Sequence, residues 1–332
     1  MNGYVLGVDG GGTKTHYALY HPQTNHLDVL TAGPSNHEGM PGSFAQLKNE
    51  LGENIYALLS KNHLAPDDIA MSMLGLSGVD TARQHQIISG ILQELSLARF
   101  VLTNDAYLGI KAGAKSGSGI CAINGSGCSV AAIDQAGGRV QVGGLGDYTC
   151  DFGGSHSFVP FSVGAVYSEL FRCGEPTLLT PMMMDLLAVK DKYAIVEEIA
   201  LRLVTNRKPF ILAISKLLFE ACDKGDSVAL GLLRQSGDSY AHSIAGAMRE
   251  LAFQKDKPVE IILAGSLFTK QPNPAMPDAL KSTLQTLQPE YEFDLKRLHT
   301  PNVAGALLWA LDELNIQGHR AHVEEGLQRC LP

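Results

Sequence analysis

The stretch GVDGGGTKTHYALYH, Gly7 to His21, decides how the rest of the chain is read. Three consecutive glycines join a short apolar run to Thr13-Lys14-Thr15, and His16 to Tyr20 then alternates in the manner of a strand. That order excludes two phosphate loops. A P-loop needs glycine directly before its lysine, and Thr13 stands there; a dinucleotide fingerprint opens a helix, and here a strand follows. What remains is a β-hairpin whose backbone N–H groups line a turn that glycine leaves open to close approach, a nest suited to phosphate oxygens. Asp9, at the end of the first strand, is placed to hold Mg2+ through water, because that ion keeps much of its hydration shell. A glycine-rich hairpin with no ligand is the alternative reading of these residues taken alone.

Outward from this hairpin, the pattern predicts strands over 4–8, 16–20 and 27–30 and a loop, TAGPSNHEGMPGS. A helix over 44–59 follows, with apolar positions 44, 47, 51, 55, 58 and 59 on one face. A strand closing at Gly78, a helix over 82–95, a strand ending at Asp105 and a helix over 106–114 complete the first half. Then the order restarts. GICAINGSGCSVAAIDQAGGRVQVGG again gives strand, Gly-rich turn, strand, turn, strand, and it aligns with YVLGVDGGGTKTHYALY as an internal duplication. Helices are expected over 163–171, 182–203, 211–223, 227–253 and 274–287, with a buried strand at VEIILAG and another over 292–298, before the apolar helix NVAGALLWALDEL. The expected fold is therefore α/β: two facing halves of βββαβα order with a cleft between them, a common place for a ligand. The expected units are 1–116, completed by a helix over 302–316, and 117–301, which carries a helical insertion.

At 332 residues the chain is long enough for two domains with separate cores. Hydrophobic residues make up 45% and charged ones 18%, ordinary for a globular enzyme, and the formal charge of −8 argues against a nucleic-acid or anionic-membrane partner. No basic stretch followed by an apolar one opens the sequence, and no apolar run approaches the ~20 residues that span a bilayer. Six cysteines without a C-x-x-C pair read as reduced, mostly buried thiols, so the expected compartment is the cytoplasm. The HRAH of 319–322 reads as an exposed polar helix, and Met182 to Met184 as core or hinge packing.

VDGGGTKT resembles the first phosphate motif of the sugar kinase and actin superfamily, INGSGCS (Ile123 to Ser129) its second, and IILAGSLF (Ile261 to Phe268) its adenosine motif. Within that superfamily the chain is most similar to the BadF/BadG/BcrA/BcrD ATPase and N-acetylglucosamine kinase group. SNH at 35–37, GLSG at 75–78, Asn104-Asp105 and GDSVALGLLRQSGDSYAHSIAGAM at 225–248 carry that likeness, as does PNVAGALLWAL. The resemblance covers nearly the whole chain. It implies two actin-like (ribonuclease H-like) domains and ATP-dependent phosphorylation of an amino sugar, with N-acetylglucosamine at its 6-hydroxyl as the expected acceptor, in a homodimer.

On this likeness Asp105 is the general base. Gly11, Gly12, Thr13 and Lys14 meet the γ-phosphate, Gly125, Ser126 and Gly127 the β-phosphate, and Gly265 and Ser266 the nucleoside. Asp9 anchors Mg2+ through water. Asn36, His37, Gly78, Asn104 and Asp151 join Asp105 around the sugar. From the residues alone, Asp105 reads equally as a helix cap and Asn36 as a turn residue. One departure bears on the substrate: where the group reads GDEGS this chain has CDFGGS, with Phe152 in place of a sugar-contacting Glu and Leu145 in place of a Trp. Two other functions compete: an ATPase that activates a reductase or dehydratase, and a non-catalytic sugar sensor.

Overall fold

The structure is a computed structural model and describes residues 3–331, the side chain of Asp147 excepted. Strand β1 (Tyr4–Gly10) shows why the first sheet is central to its half: Val5, Leu6 and Val8 are all fully buried, so both faces are covered. It pairs antiparallel with β2 (Thr15–His21), which continues to β3 (His26–Ala32), and parallel with β4 (Ile69–Leu76), which continues to β5 (Phe100–Thr103). The order is β3-β2-β1-β4-β5. The second sheet is built from β6 (Gly119–Asn124), β7 (Cys128–Ile133), β8 (Arg139–Gly143), β9 (Val259–Ala264) and β10 (Phe293–Arg297) in the order β10-β9-β6-β7-β8. β6 stands where β1 stood, with the same senses of pairing. The duplication expected from the sequence is therefore a repeat of topology.

Side-chain alternation assigns the layers. Leu6 and Val8 face α1 (Ser43–Lys61) and α2 (Ala82–Glu94), while Val5 joins a core formed with α3 (Asp105–Gly113) and α11 (Val303–Glu313). That core also contains Cys121, Ala131, Ile262 and Ala264 of the second sheet, so α3 and α11 lie between the two sheets. The far side of the second sheet is covered by a helical layer: α4 (Gly154–Phe171), α5 (Leu179–Leu187), α6 (Lys192–Thr205), α7 (Arg207–Asp223), α8 (Ser227–Glu250) and α10 (Ala275–Leu287), with α9 (Ser266–Thr269) a single turn after β9. A last helix, α12 (Arg320–Cys330), packs on β3 and α11.

Four expectations are corrected in detail. The helix over 182–203 is two helices, because Ala188 takes a left-handed φ of 58° and the Asp191 carboxylate caps α6, accepting from the Tyr193 and Ala194 N–H groups. α4 begins at Gly154 rather than 163; Pro160 lies inside it, and an interior proline pushes a boundary read from sequence too late. HRAH is not wholly exposed: His319 bonds the Tyr20 hydroxyl at 2.7 Å, and Val323 and Leu327 are fully buried. Only Cys121 and Cys222 are buried; Cys128 is half-buried, Cys150, Cys173 and Cys330 are exposed, and no disulfide joins any pair.

The crossing of α11 over α3 needs backbone proximity. A Cβ at Gly305 would run into the Leu108 carbonyl oxygen and stand 2.8 Å from its carbon, so no side chain can swing aside to relieve it. Gly305→Ala is therefore expected to lower stability by about 1–3 kcal/mol through overpacking. Gly231→Ala, at an open position of α8, should be neutral or stabilising by up to about 1 kcal/mol. Thermal unfolding of both variants checks this.

Candidate active site

Parallel strands end on one side of a sheet, so β1, β4 and β5 deliver Asp9, Gly78 and Asp105 to the same edge, and β6 and β9 deliver Asn124 and Gly265 to the facing one. The first glycine turn is closed by Gly11 N–H donating to the Lys14 carbonyl (3.0 Å) and tied to the next loop by Ser35 N–H donating to the Gly11 carbonyl (3.1 Å). The second is closed by Gly125 N–H donating to the Gly127 carbonyl (3.0 Å). The two turns meet: the Thr13 and Ser126 hydroxyls are hydrogen-bonded at 3.1 Å, while Gly12, Thr13 and Lys14 remain exposed. Gly265, with φ of +85°, lies so near β6 that a Cβ there would stand 2.6 Å from the Asn124 carbonyl carbon; Ser266 starts α9 directly behind it. The three motifs are thus brought to facing strand edges, the two glycine turns in contact through Thr13 and Ser126.

The loops expected to meet a sugar also adjoin. A Cβ at Gly78 would stand 2.6 Å from Asn36 Oδ1, and His37 stacks on Phe44 with centroids 4.1 Å apart. Asn36 Oδ1 accepts the Glu38 N–H (2.9 Å), so the turn role is real. Ser35 Oγ, His37 Nδ1 and Ser77 Oγ are buried in these loops without a hydrogen-bond partner. Such groups are rare in folded proteins, and three in adjoining loops fit a polar ligand.

Asn104 is the residue before α3 and caps it, accepting the Ala106 N–H through Oδ1 (2.9 Å), while the Asp105 carboxyl at the head of the helix is itself hydrogen-bonded by the backbone at Asp105 and Ala106. Burial, and then the negative charges of Asp9 and Asp80, hold the Asp105 carboxyl well above the ordinary carboxylate range. Asp9 lies 3.8 Å from His16 Nδ1. Asp151 is engaged within its own loop: its Oδ2 accepts the Gly144 and Gly146 N–H groups and the Thr149 hydroxyl at 2.9, 3.1 and 2.6 Å. The Phe152 ring is buried against Phe158 and Phe161 and its carbonyl accepts the Ser236 hydroxyl, so it joins the core of the second half, and it borders a small cavity with Asp151, Cys128 and Tyr240.

Sequence reasoning missed Asp80 and Gln141. Asp80 Oδ1 accepts from Asn104 Nδ2 (3.0 Å) and from Gln141 Nε2 on β8. The only local signal was an acid two residues beyond Gly78. Arg320 was missed too: its guanidinium donates to the Lys111 and Ala112 carbonyls (2.9 and 2.6 Å) at the far end of α3.

Two sheets of identical strand order, each presenting a glycine turn to a shared cleft, define the actin-like class of α/β proteins. The chain belongs to the BadF/BadG/BcrA/BcrD ATPase family, whose model matches residues 6–310. It is 25% identical over 257 residues to the N-acetylmuramic acid/N-acetylglucosamine kinase of Clostridium acetobutylicum, covering 77% of this chain and 83% of that protein. It is 22% identical over 311 residues to the N-acetyl-D-glucosamine kinase of Dictyostelium discoideum, covering 91% and 96%. A solved structure assigned as an N-acetylglucosamine kinase from Chromobacterium violaceum superposes with a TM-score of 0.67 at 22% identity, covering 92% of this chain and 98% of that one.

Burial pushes the Asp80 carboxyl up to about 6, with the charges of Glu38 and Asp151 adding to it against the Gln141 hydrogen bond. A carboxyl raised in the fold holds a proton that the unfolded chain releases, so stability falls as pH rises from about 4 to about 6 and stays lowered above that. Asp80→Asn keeps an acceptor oxygen and removes the charge. It is expected to stabilise the protein at pH 8 by about 1–3 kcal/mol, and to make little difference at pH 4. Thermal melts at the two pH values check the sign.

Proposed function

We propose that this chain is an ATP-dependent sugar kinase that phosphorylates an amino sugar, with N-acetylglucosamine at its 6-hydroxyl as the leading acceptor. The observation that carries this reading is Asp105: a carboxyl at the head of α3, raised in proton affinity by burial and by Asp9 and Asp80, on the strand edge next to the two glycine turns that meet through Thr13 and Ser126. The names of the two curated relatives support the same class of reaction.

In this reading Gly11, Gly12, Thr13 and Lys14 hold the phosphate chain from one side and Gly125, Ser126 and Gly127 from the other. The nucleoside lies on Gly265 and Ser266, and Asp9 holds Mg2+ through water. Mg-ATP supplies the phosphoryl group and the neutralising cation. Asn36, His37, Gly78, Asn104 and Asp151 surround the sugar, with the unpartnered His37 Nδ1 as the polar atom best suited to it. Asp105 orients the acceptor hydroxyl and takes its proton, for which burial and the neighbouring Asp9 and Asp80 raise its affinity. The units 1–116 with 302–316, and 117–301, act as two domains whose closure excludes water from the reacting groups. A cytoplasmic homodimer completes the reading.

The test is ADP release from Mg-ATP with N-acetylglucosamine, N-acetylmuramic acid, glucosamine and glucose. Sugar-dependent release is expected, with Asp105→Ala slower by about a hundred- to ten-thousand-fold, the range for loss of a general base. ADP release that no sugar changes would overturn the kinase and favour an ATPase module.

A further inference from the structure

Asp80 is fixed from behind. Its own N–H donates to Gln84 Oε1 (3.1 Å), the Thr81 N–H donates to the same oxygen (2.9 Å), and Gln84 Nε2 is held by Glu38 (2.9 Å). From this rigid helix start the carboxylate reaches two places. One is Asn104, whose other side-chain atom caps the helix that begins with Asp105. The other is Gln141 on β8 of the second half, where a Cβ at Gly144 would stand 2.6 Å from Asp80 Oδ1. Gly144 in turn is bonded by Asp151, so the loop over 144–151 is placed through the same junction.

The charges facing Asp80 are all acidic: Glu38 from the preceding loop, Asp105 from α3 and Asp151 from the second half. Among the described residues no Lys or Arg pairs with it in an ion pair, although four carboxylates gather there. An unpaired carboxylate bonded only by two neutral amides is poor structural glue, because its burial opposes folding. Its value lies in what it joins. A second contact runs alongside: the Arg139 guanidinium, two residues before Gln141 on the same face of β8, stacks 4.5 Å from the ring of Trp309 on α11.

We infer that Asp80 is a positioning residue for the proposed phosphoryl transfer, clasping Gln141 across the cleft and Asn104 beside the base so that Asp105 is set only when the two halves are together. The catalytic part rests on the kinase reading; the clasp does not.

Two measurements separate them. Trp309 is the only tryptophan and is 2% exposed, so acrylamide quenching reads whether β8 stays against α11. Asp80→Ala and Gln141→Ala are each expected to raise quenching with unchanged circular dichroism, and Asp80→Asn, which keeps the acceptor, is not. Unchanged quenching in both alanine variants overturns the clasp whatever the enzyme does. In sugar-dependent ADP release, each alanine variant should lower kcat by about tenfold or more with the sugar KM within about threefold, and the double variant should be no slower than the worse single one. Asp80→Asn should retain most of kcat. A raised sugar KM with normal kcat overturns positioning and makes Asp80 a sugar contact; multiplying effects show that the two residues do not act through one bond. Absence of any sugar-dependent turnover in the unmutated protein removes the kinase reading and the positioning role with it, while the quenching result still decides the clasp.

Discussion

The close passage of α11 over α3 is the constraint on which the cleft depends. Both helices are rich in small residues, Ala304, Gly305 and Ala306 on one and Ala106, Gly109 and Ala112 on the other, and at the crossing itself Gly305 lies on the backbone of Leu108 and Ala112. Small residues let backbones approach, and backbone contact leaves little play in the crossing angle. Because the two helices lie between the sheets, fixing their crossing also fixes how the facing strand ends stand to each other. α3 is nine residues long, starts with Asp105 and is gripped at its other end by Arg320 through the Lys111 and Ala112 carbonyls. A guanidinium on the last carbonyls of a helix also complements its dipole. The carboxylate at the head of α3 is therefore held at both ends of a short rigid rod.

What sits at that head is electrostatically costly. Asp9, Asp80 and Asp105 interact unfavourably, and the nearest basic side chain on the first turn, Lys14, is exposed. Nothing in packing requires three acids at one strand edge, since β1, β4 and β5 would pair as well with neutral ends. Buried polar atoms without partners in the adjoining loops deepen the same mismatch. Stability relinquished at one place, in a fold otherwise closely packed, is the usual mark of a site kept for chemistry.

Much of this was legible because it is local. A strand–glycine–strand pattern announces a hairpin, and its recurrence at Ile120 to Ala132 announced the duplication that the matching sheet orders bear out. Helix starts were legible wherever a cap stood beside an apolar period, as at Thr81 and Asp226. The break at Ala188 was not, because a left-handed alanine has no signature in residue type, and the apolar period runs on through it. Long-range pairings were beyond reach for a different reason. Asp80 and Gln141 are 61 positions apart, one in the loop before α2 and the other on β8, and Arg320 is more than 200 from the helix it grips. No periodicity connects such residues; only the folded crossing of α3 and α11 brings them together. Phe152 was legible only as a departure from the group's motif; that its ring packs on Phe158 and Phe161 of α4 follows from the fold.

Two hydrogen bonds join the loops on either side of the cleft. Thr13 meets Ser126 through two hydroxyls, Asp80 meets Gln141 through a carboxylate and an amide, and none of the ion pairs among the described residues crosses the gap. A hydrogen bond of this type contributes about 1 kcal/mol net, because water replaces either partner when the contact opens. A desolvated ion pair would be harder to part, since separating it strands charge in a poorly hydrated crevice. A reaction in which both substrates enter and both products leave through one cleft needs a closed form that is preferred but not locked. The Thr13–Ser126 contact ties the two glycine turns and the Asp80–Gln141 contact ties the start of α2 to β8, so the halves are held at two separate points, and parting them costs two weak hydrogen bonds rather than one strong pair.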